Sequence, residues 1–203
     1  MKRLIATALL VTPVFAFAAE GDNLLNNGSF ESTALRSGGW HVYSGIDGWT
    51  VGRNGVEVRN NVSGSAVDGH NFVELDTSAN SSISQSFATV AGATYALSFS
   101  YANRGDNRGA ASNGLGWTVG GLTGVVGNNT STTWATYSTE FIGTGQTMTL
   151  SFAALGRSDS FGTSLDGVSV RMLSAVPEPQ SMALMLAGLA ALGVVARRRR
   201  RQD

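Results

Sequence analysis

From residue 93 to 102 the chain alternates in size: Tyr95, Leu97, Phe99 and Tyr101 are interleaved with Ala96, Ser98, Ser100 and Ala102. Side chains of a strand point to opposite faces in turn, so this period of two makes a ribbon with one bulky face and one small, polar face. A helix would scatter these four bulky side chains around its circumference and bury them poorly. Over 146–154, Met148, Leu150 and Phe152 alternate with Thr147, Thr149 and Ser151 in the same way. Two such ribbons bury their bulky faces by packing on each other and leave the other faces wet, which is the arrangement of a β-sandwich.

The rest of the chain agrees with an all-β domain. Strands are predicted at 40–44, 49–51, 56–59, 71–76, 82–88, 93–102, 115–119, 133–142, 146–154 and 164–172, separated by glycine and asparagine clusters, with no amphipathic helix of three turns between 20 and 175. The cluster Gly120-Gly121-Leu-Thr-Gly124 has no helix and no lysine after it, so it reads as a β-turn rather than a phosphate-binding loop. An internal echo links Phe87 to Phe99 with Phe141 to Phe152: each has a phenylalanine, a turn glycine (Gly92, Gly145) and a closing Leu-Ser-Phe. This predicts two hairpins built alike.

Both ends read as targeting segments. At the N-terminus, Lys2-Arg3 precede an apolar stretch that closes on Ala16-Phe17-Ala18, and small residues at Ala16 and Ala18 suit signal peptidase, giving a signal peptide over 1–18. At the C-terminus, 176–203, an uncharged run over about 181–196 is followed by Arg197, Arg198, Arg199, Arg200 and Arg201. As a helix this run reaches about 24 Å, short of the roughly 30 Å apolar core of a bilayer by an amount that thinning and snorkelling arginines absorb. Basic residues stay in the cytoplasm, so the domain between, residues 19–175, is placed outside.

Within 19–175 there are seven arginines, no lysine and twelve acidic residues, a net charge of −5. The formal neutrality of the whole chain comes from its basic ends, and an acidic body disfavours nucleic acid as a partner. The absence of cysteine removes disulfides, thiol nucleophiles and zinc-thiolate sites together. Without body lysines or a Gly-x-Ser-x-Gly motif there is no Ser-Lys pair and no nucleophile elbow. Glu57, Glu74 and Asp76 offer carboxylates, and Glu74 with Asp76 share a strand face, but solvated acids on a sheet account for them without catalysis. Arg104-Gly105-Asp106 reads as a solvated loop.

Aromatic rings offer another chemistry. Sugars stack axial C–H groups on indole rings while their hydroxyls take hydrogen bonds, so a glycan site needs Trp beside polar side chains. Trp117, among glycines, is expected as an exposed ring, followed by Trp40 with His41, with Glu74 and Asp76 as polar partners. Trp49 and Trp134 are expected in the core.

Two resemblances extend this reading. Pro177-Glu178-Pro179, the apolar run and the arginine cluster resemble the PEP-CTERM sorting signal of Gram-negative surface proteins, which implies recognition and cleavage by a membrane-embedded exosortase and export alongside exopolysaccharide. Before processing, the C-terminal helix would hold the chain in the membrane. The body carries, in order, Asn23-Leu-Leu-Asn-Asn27-Gly28-Ser29-Phe30-Glu31, Gly45-Ile-Asp-Gly-Trp49-Thr-Val51, Gly69-His-Asn-Phe-Val-Glu74-Leu-Asp76, Ile83-Ser-Gln-Ser-Phe87 and Leu165-Asp166-Gly-Val-Ser-Val170. Together these resemble choice-of-anchor C domains of bacterial surfaces and their plant cell-wall relatives, similar to galactose-binding-like jelly rolls and carbohydrate-binding modules. That resemblance implies a jelly-roll β-sandwich whose first motif lies beside its last strand. It also implies a structural calcium there, with carboxylates from Glu31 and Asp166 and backbone carbonyls near Asn27 and Ser29. The expected role is a non-catalytic domain binding extracellular polysaccharide, with a polysaccharide-modifying enzyme, a protein-binding adhesin or a structural matrix component as alternatives.

Overall fold

The computed structural model describes residues 21–106 and 109–174, and in the C-terminal segment the helical positions Met185, Ala187, Gly188, Leu189, Leu192 and Arg197. The signal peptide with Ala16 and Ala18, the sorting residues Pro177, Glu178 and Pro179, and Arg198 to Arg201 lie outside the described residues. Among those described, no helix is long and apolar enough to cross a membrane.

Eleven strands form two antiparallel sheets: Gly39–Tyr43 (β1), Thr50–Val51 (β2), Val56–Asn60 (β3), Asn71–Glu74 (β4), Ser82–Ala88 (β5), Thr94–Asn103 (β6), Leu115–Val119 (β7), Leu122–Val126 (β8), Ala135–Ile142 (β9), Thr147–Ala154 (β10) and Thr163–Ser174 (β11). The front sheet runs β1-β3-β4-β11-β6-β9 and the back sheet β2-β5-β10-β7-β8. A short 3₁₀ turn at Ala110–Ser112 precedes β7. All ten predicted strands are present. β8 is the addition: Gly120 and Gly121 turn the chain at positive φ, and the residues after them pair in register with β7 instead of staying in a loop.

The alternation does what its period requires. Tyr95, Leu97 and Phe99 from the front sheet meet Met148, Leu150 and Phe152 from the back sheet, all 7 % exposed or less. Phe99 stands at the centre, edge-on to Phe152 at 4.9 Å and tilted against Tyr137 at 5.3 Å. The other face of β6 departs from the wet expectation. Ser100 and Ala102 are buried there, because the β3–β4 connection, 61–70, and Trp134 cover this part of the front sheet.

The internal echo is not a pair of hairpins. β5 and β10 belong to the back sheet while β6 and β9 belong to the front, so each echoed segment carries the chain from one sheet to the other. The two corners then pair: Gly92 N–H donates to Gly143 O at 2.8 Å, Gly143 N–H to Ala93 O at 2.8 Å, and Thr89 N–H to Gln146 O at 3.3 Å. Phe87 packs edge-on against Phe141, and Tyr95 stacks on it at 5.5 Å. The repeated glycine marks a corner where two backbones come close.

The first motif lies beside the last strand, as the resemblance implies. Beyond the Asn71 end of β4, where that strand begins, the N-terminal segment takes its place along β11, with Leu24 N–H on Val170 O and Val168 N–H on Gly28 O. Leu165 and Val168 both face the core although three positions apart, which takes one extra residue; a register shift at this point, with Gly167 at φ 57°, supplies the bulge.

Candidate functional site

Residues directly opposite each other on neighbouring strands point to the same face, so the register of the front sheet states what its outer surface carries. Trp40 pairs with Arg59 and Arg59 with Phe72. The adjacent row is Val42, Glu57, Glu74, Ser164 and Ala102. Val56, Val58 and Val73, between these, face the core. Trp40, Glu57, Arg59, Phe72 and Glu74 therefore share one face. His41, one residue from Trp40, necessarily points the other way and meets the edge of Tyr43 at 4.9 Å, so the expected Trp40 and His41 pair is divided by the strand itself.

Beneath Trp40 lies a buried ion cluster. The Arg59 side chain has no solvent exposure; its Nε lies 2.9 Å from Glu57 Oε1, its Nη2 pairs with Glu74 Oε2, and its guanidinium covers the Phe72 ring at 5.2 Å. Desolvation lowers its pKa to about 10 against the pull of Glu57, which leaves it charged at neutral pH. Glu74 also accepts from Arg104 Nη1 at 3.3 Å and from Gly162 N–H at 2.5 Å. Arg104 in turn grips Asp106 at 2.7 and 2.8 Å, donates to Ser160 O at 2.9 Å and stacks over Phe161 at 4.6 Å. Hydrogen bonding from Arg104 holds the Asp106 carboxyl below its usual range.

This cluster corrects one expectation in part and another in full. The expected solvated loop is exposed at Gly105 and Asp106, but the Arg104 side chain is 13 % exposed because Glu74, Asp106, Ser160, Ser63 and Phe161 draw it inward. Glu74 and Asp76 are not acids on a wet face but are buried, at 0 % and 2 %. Asp76 accepts N–H groups from Asp159 at 2.9 Å and Phe161 at 3.3 Å, and together with Glu74 it fixes the loop before β11. That loop presents Ser160 and Phe161 opposite Trp40, enclosing a cavity of about 260 Å³ with Glu57, Val62 and Arg104. Trp40, 57 % exposed, forms its open side.

A second cavity of about 250 Å³ lies on the same face. Trp134 is not in the core: it reaches over the small residues Ala102 and Ser164 to meet Phe72 edge-on at 5.9 Å and donates its Nε1–H to Ser65 O at 2.9 Å. Its predicted core place belongs instead to Trp117, which was expected to be exposed and is 3 % exposed. Leu115, Trp117 and Val119 alternate with Gly116 and Thr118, so strand geometry turns Trp117 inward onto Tyr137 and Phe99. Trp49 is buried between Phe30 and Phe152, as expected.

The expected calcium donors are engaged elsewhere. Glu31 Oε1 accepts N–H from His70 at 2.8 Å and Asn71 at 2.6 Å. Asp166 accepts from Val67 at 2.8 Å, Asp68 at 3.0 Å and Gly167 at 2.7 Å. Asn27 O takes the Trp49 indole N–H, its side chain bonds Asp47 O and Ser32 N–H, and Ser29 is half-buried beside it. Asp166, with amide hydrogens on both oxygens, and Glu31, with two on Oε1, are arranged as anchors for the 67–71 segment, and as placed they do not fit a calcium shell. Among the described residues no group of three or more His, Asp or Glu side chains is placed to hold a metal.

Arg59, Arg104 and Phe161 were not identified from the sequence as site residues. For Arg59 the signal exists, since Glu57 and Arg59 alternate with Val56 and Val58; for the loop residues no local pattern announces their place.

Comparison with solved structures agrees on the architecture. A cyclase from Fischerella sp. TAU superposes with a TM-score of 0.59 at 17 % identity, covering 78 % of this chain and 99 % of that one. TmCBM61, solved with β-1,4-galactotriose, gives 0.50 at 19 % identity over 73 % of this chain and 97 % of its own. At such identities the likeness is one of fold. No curated protein matches the chain. Residues 175–201 match the PEP-CTERM protein-sorting motif, which marks an exported cell-surface protein processed by exosortase. Residues 23–171 match the family described as protein of unknown function (DUF642), and the chain belongs to that family.

Proposed function

We propose that the outer face of the front sheet is a non-catalytic polysaccharide-binding surface, centred on the cavity between Trp40 and Phe161, in a protein that exosortase sorting delivers to the extracellular polysaccharide. The observation that carries this reading is the exposed Trp40 indole standing over a cavity whose polar wall is fixed from below. A sugar ring stacked on the indole would find Glu57 and Ser160 within a rigid frame, so little ordering entropy is spent on the protein side. The carboxylates that an enzyme would need are committed: Glu74 and Asp76 are buried and hold backbone N–H groups of the neighbouring loop. Such a small open site binds weakly, and many copies at one surface turn weak binding into retention.

Affinity electrophoresis of the full chain, in a sugar-free non-ionic detergent, through gels containing neutral polysaccharides tests this. The native chain should be retarded on at least one polymer and Trp40→Ala should run free with an unchanged unfolding midpoint. Equal retardation of both would remove Trp40 from the site, and migration of the native chain unhindered on every polymer would favour a structural matrix role.

A further inference from the structure

Around the Trp40 cavity, three carboxylates, Glu57, Glu74 and Asp106, face two guanidiniums, Arg59 and Arg104. Neither cation is open to a ligand. Arg59 is shielded from solvent between Glu57 and Glu74, its Nη1 buried without a partner, and Arg104 is divided among Glu74, Asp106 and Ser160 O. Among the described residues lining either cavity of this face, Arg104 is the one cation. The lining group with exposure and charge to spare is the Glu57 carboxylate, 14 % exposed, with one oxygen on Arg59.

An acidic sugar has no partner here. To pair with its carboxylate, Arg104 would have to leave Glu74 and Asp106, and Glu74 would keep a buried charge with one partner fewer. The incoming anion would also approach Glu57. A hydroxyl meets the opposite situation, because Glu57 accepts an O–H in a charge-assisted bond and no existing pair is broken. We infer that this site selects uncharged polysaccharide and rejects uronate polymers, the internal closure of its ion pairs serving as the discriminating device. The inference rests on the glycan-binding reading above and adds to it the class of glycan.

The test uses polymers that differ in charge alone. Polygalacturonate, alginate and hyaluronate are each presented to the full chain in sugar-free detergent beside their carboxyl-reduced, neutral forms, at low and high salt. The expected result is retention on at least one reduced polymer, insensitive to salt, with its uronate parent bound about tenfold more weakly or not at all. A uronate parent held as tightly as its reduced form overturns the inference while leaving glycan binding in place. Retention on no member of any pair, by a chain with a normal unfolding transition, overturns the glycan-binding reading itself. Glu57→Gln, which keeps the side-chain shape, should narrow the ratio between the two forms toward one. An unchanged ratio would show that charge is not what discriminates, and the inference would fall.

Discussion

The Arg59 guanidinium and the Glu74 carboxylate form an ion pair on the outer face of the front sheet, yet neither side chain is more than 1 % exposed. Glu57 and Phe72 flank the arginine, while Arg104 and the Gly162 N–H hold the other side of the glutamate. Such a pair adds little stability over apolar residues of equal volume, but breaking it leaves a charge without its partner in a dry place.

Removing one partner should therefore be costly. Arg59→Met is expected to destabilise the domain by about 3–5 kcal/mol, because Glu74 and Glu57 then face each other across the register with Arg104 as the remaining cation. Glu74→Gln should cost less, since the amide oxygen can still accept from Gly162. Denaturant midpoints at neutral pH measure both, and equal, small losses would show the cluster to be solvated.

The tryptophans should separate stability from binding. Trp117→Ala removes an inward ring packed on Phe99 and Tyr137 and should cost about 3–5 kcal/mol. Trp40→Ala, at a position 57 % exposed, should change stability by no more than about 0.5 kcal/mol while abolishing polysaccharide retention. Parallel unfolding curves and affinity gels check the two effects, and a large destabilisation by Trp40→Ala would count against an open site.

These tryptophans also show what was legible before the structure. Period two placed the ten expected strands and the faces of Phe99 and Phe152. The same rule, applied to Leu115, Trp117 and Val119 within the predicted strand 115–119, turns Trp117 inward, but the glycines around it suggest an exposed ring. Gly124 had the same effect on β8: it reads as a turn residue, yet a Cβ there would lie 2.7 Å from the Trp117 indole, so the glycine makes room for the ring within a strand. The echoed glycines were read as hairpin turns because sequence shows a reversal but not which sheet receives the next strand. The place of Arg104 and Phe161 could not be read at all, since it depends on loops meeting Glu74 and Asp76, whose sequence separation carries no local periodicity.

Asp166 should give the domain a pH dependence of defined sign. Its carboxylate is fully buried, and desolvation raises its pKa from 3.8 to about 6 despite N–H donors from Asp68, Val67 and Gly167. An acid with a raised folded pKa holds its proton more tightly when folded. Its presence is therefore without penalty below the unfolded value, and stability falls as pH rises from about 4 to about 6, by at most about 3 kcal/mol, and is level above. Asp166→Asn should remove this fall, while losing stability at all pH values because an amide cannot accept at both ends. The difference between native and Asp166→Asn stability should shrink across that window; a difference that grows would reverse the assignment.

The joint between the chain's first motif and its last strand should depend on Asn23 and Gly28, not on a bound metal. The Asn23 side chain accepts from Val170 N–H at 3.0 Å and Leu25 N–H at 3.1 Å and donates to Val168 O at 3.1 Å, so Asn23→Ala should cost about 2 kcal/mol. Gly28 is present because the backbones touch there: a Cβ would lie 2.0 Å from Val168 O, and Gly28→Ala can be accepted only by moving the N-terminal segment off β11. That displacement should cost at least as much as the loss of Asn23. A calcium chelator should leave the native thermal midpoint where it was, because both Asp166 oxygens and Glu31 Oε1 are taken up by amide hydrogens. A midpoint that falls on chelation and recovers with added calcium would show that a cation, rather than Asn23 and the shared backbone ladder, joins the ends.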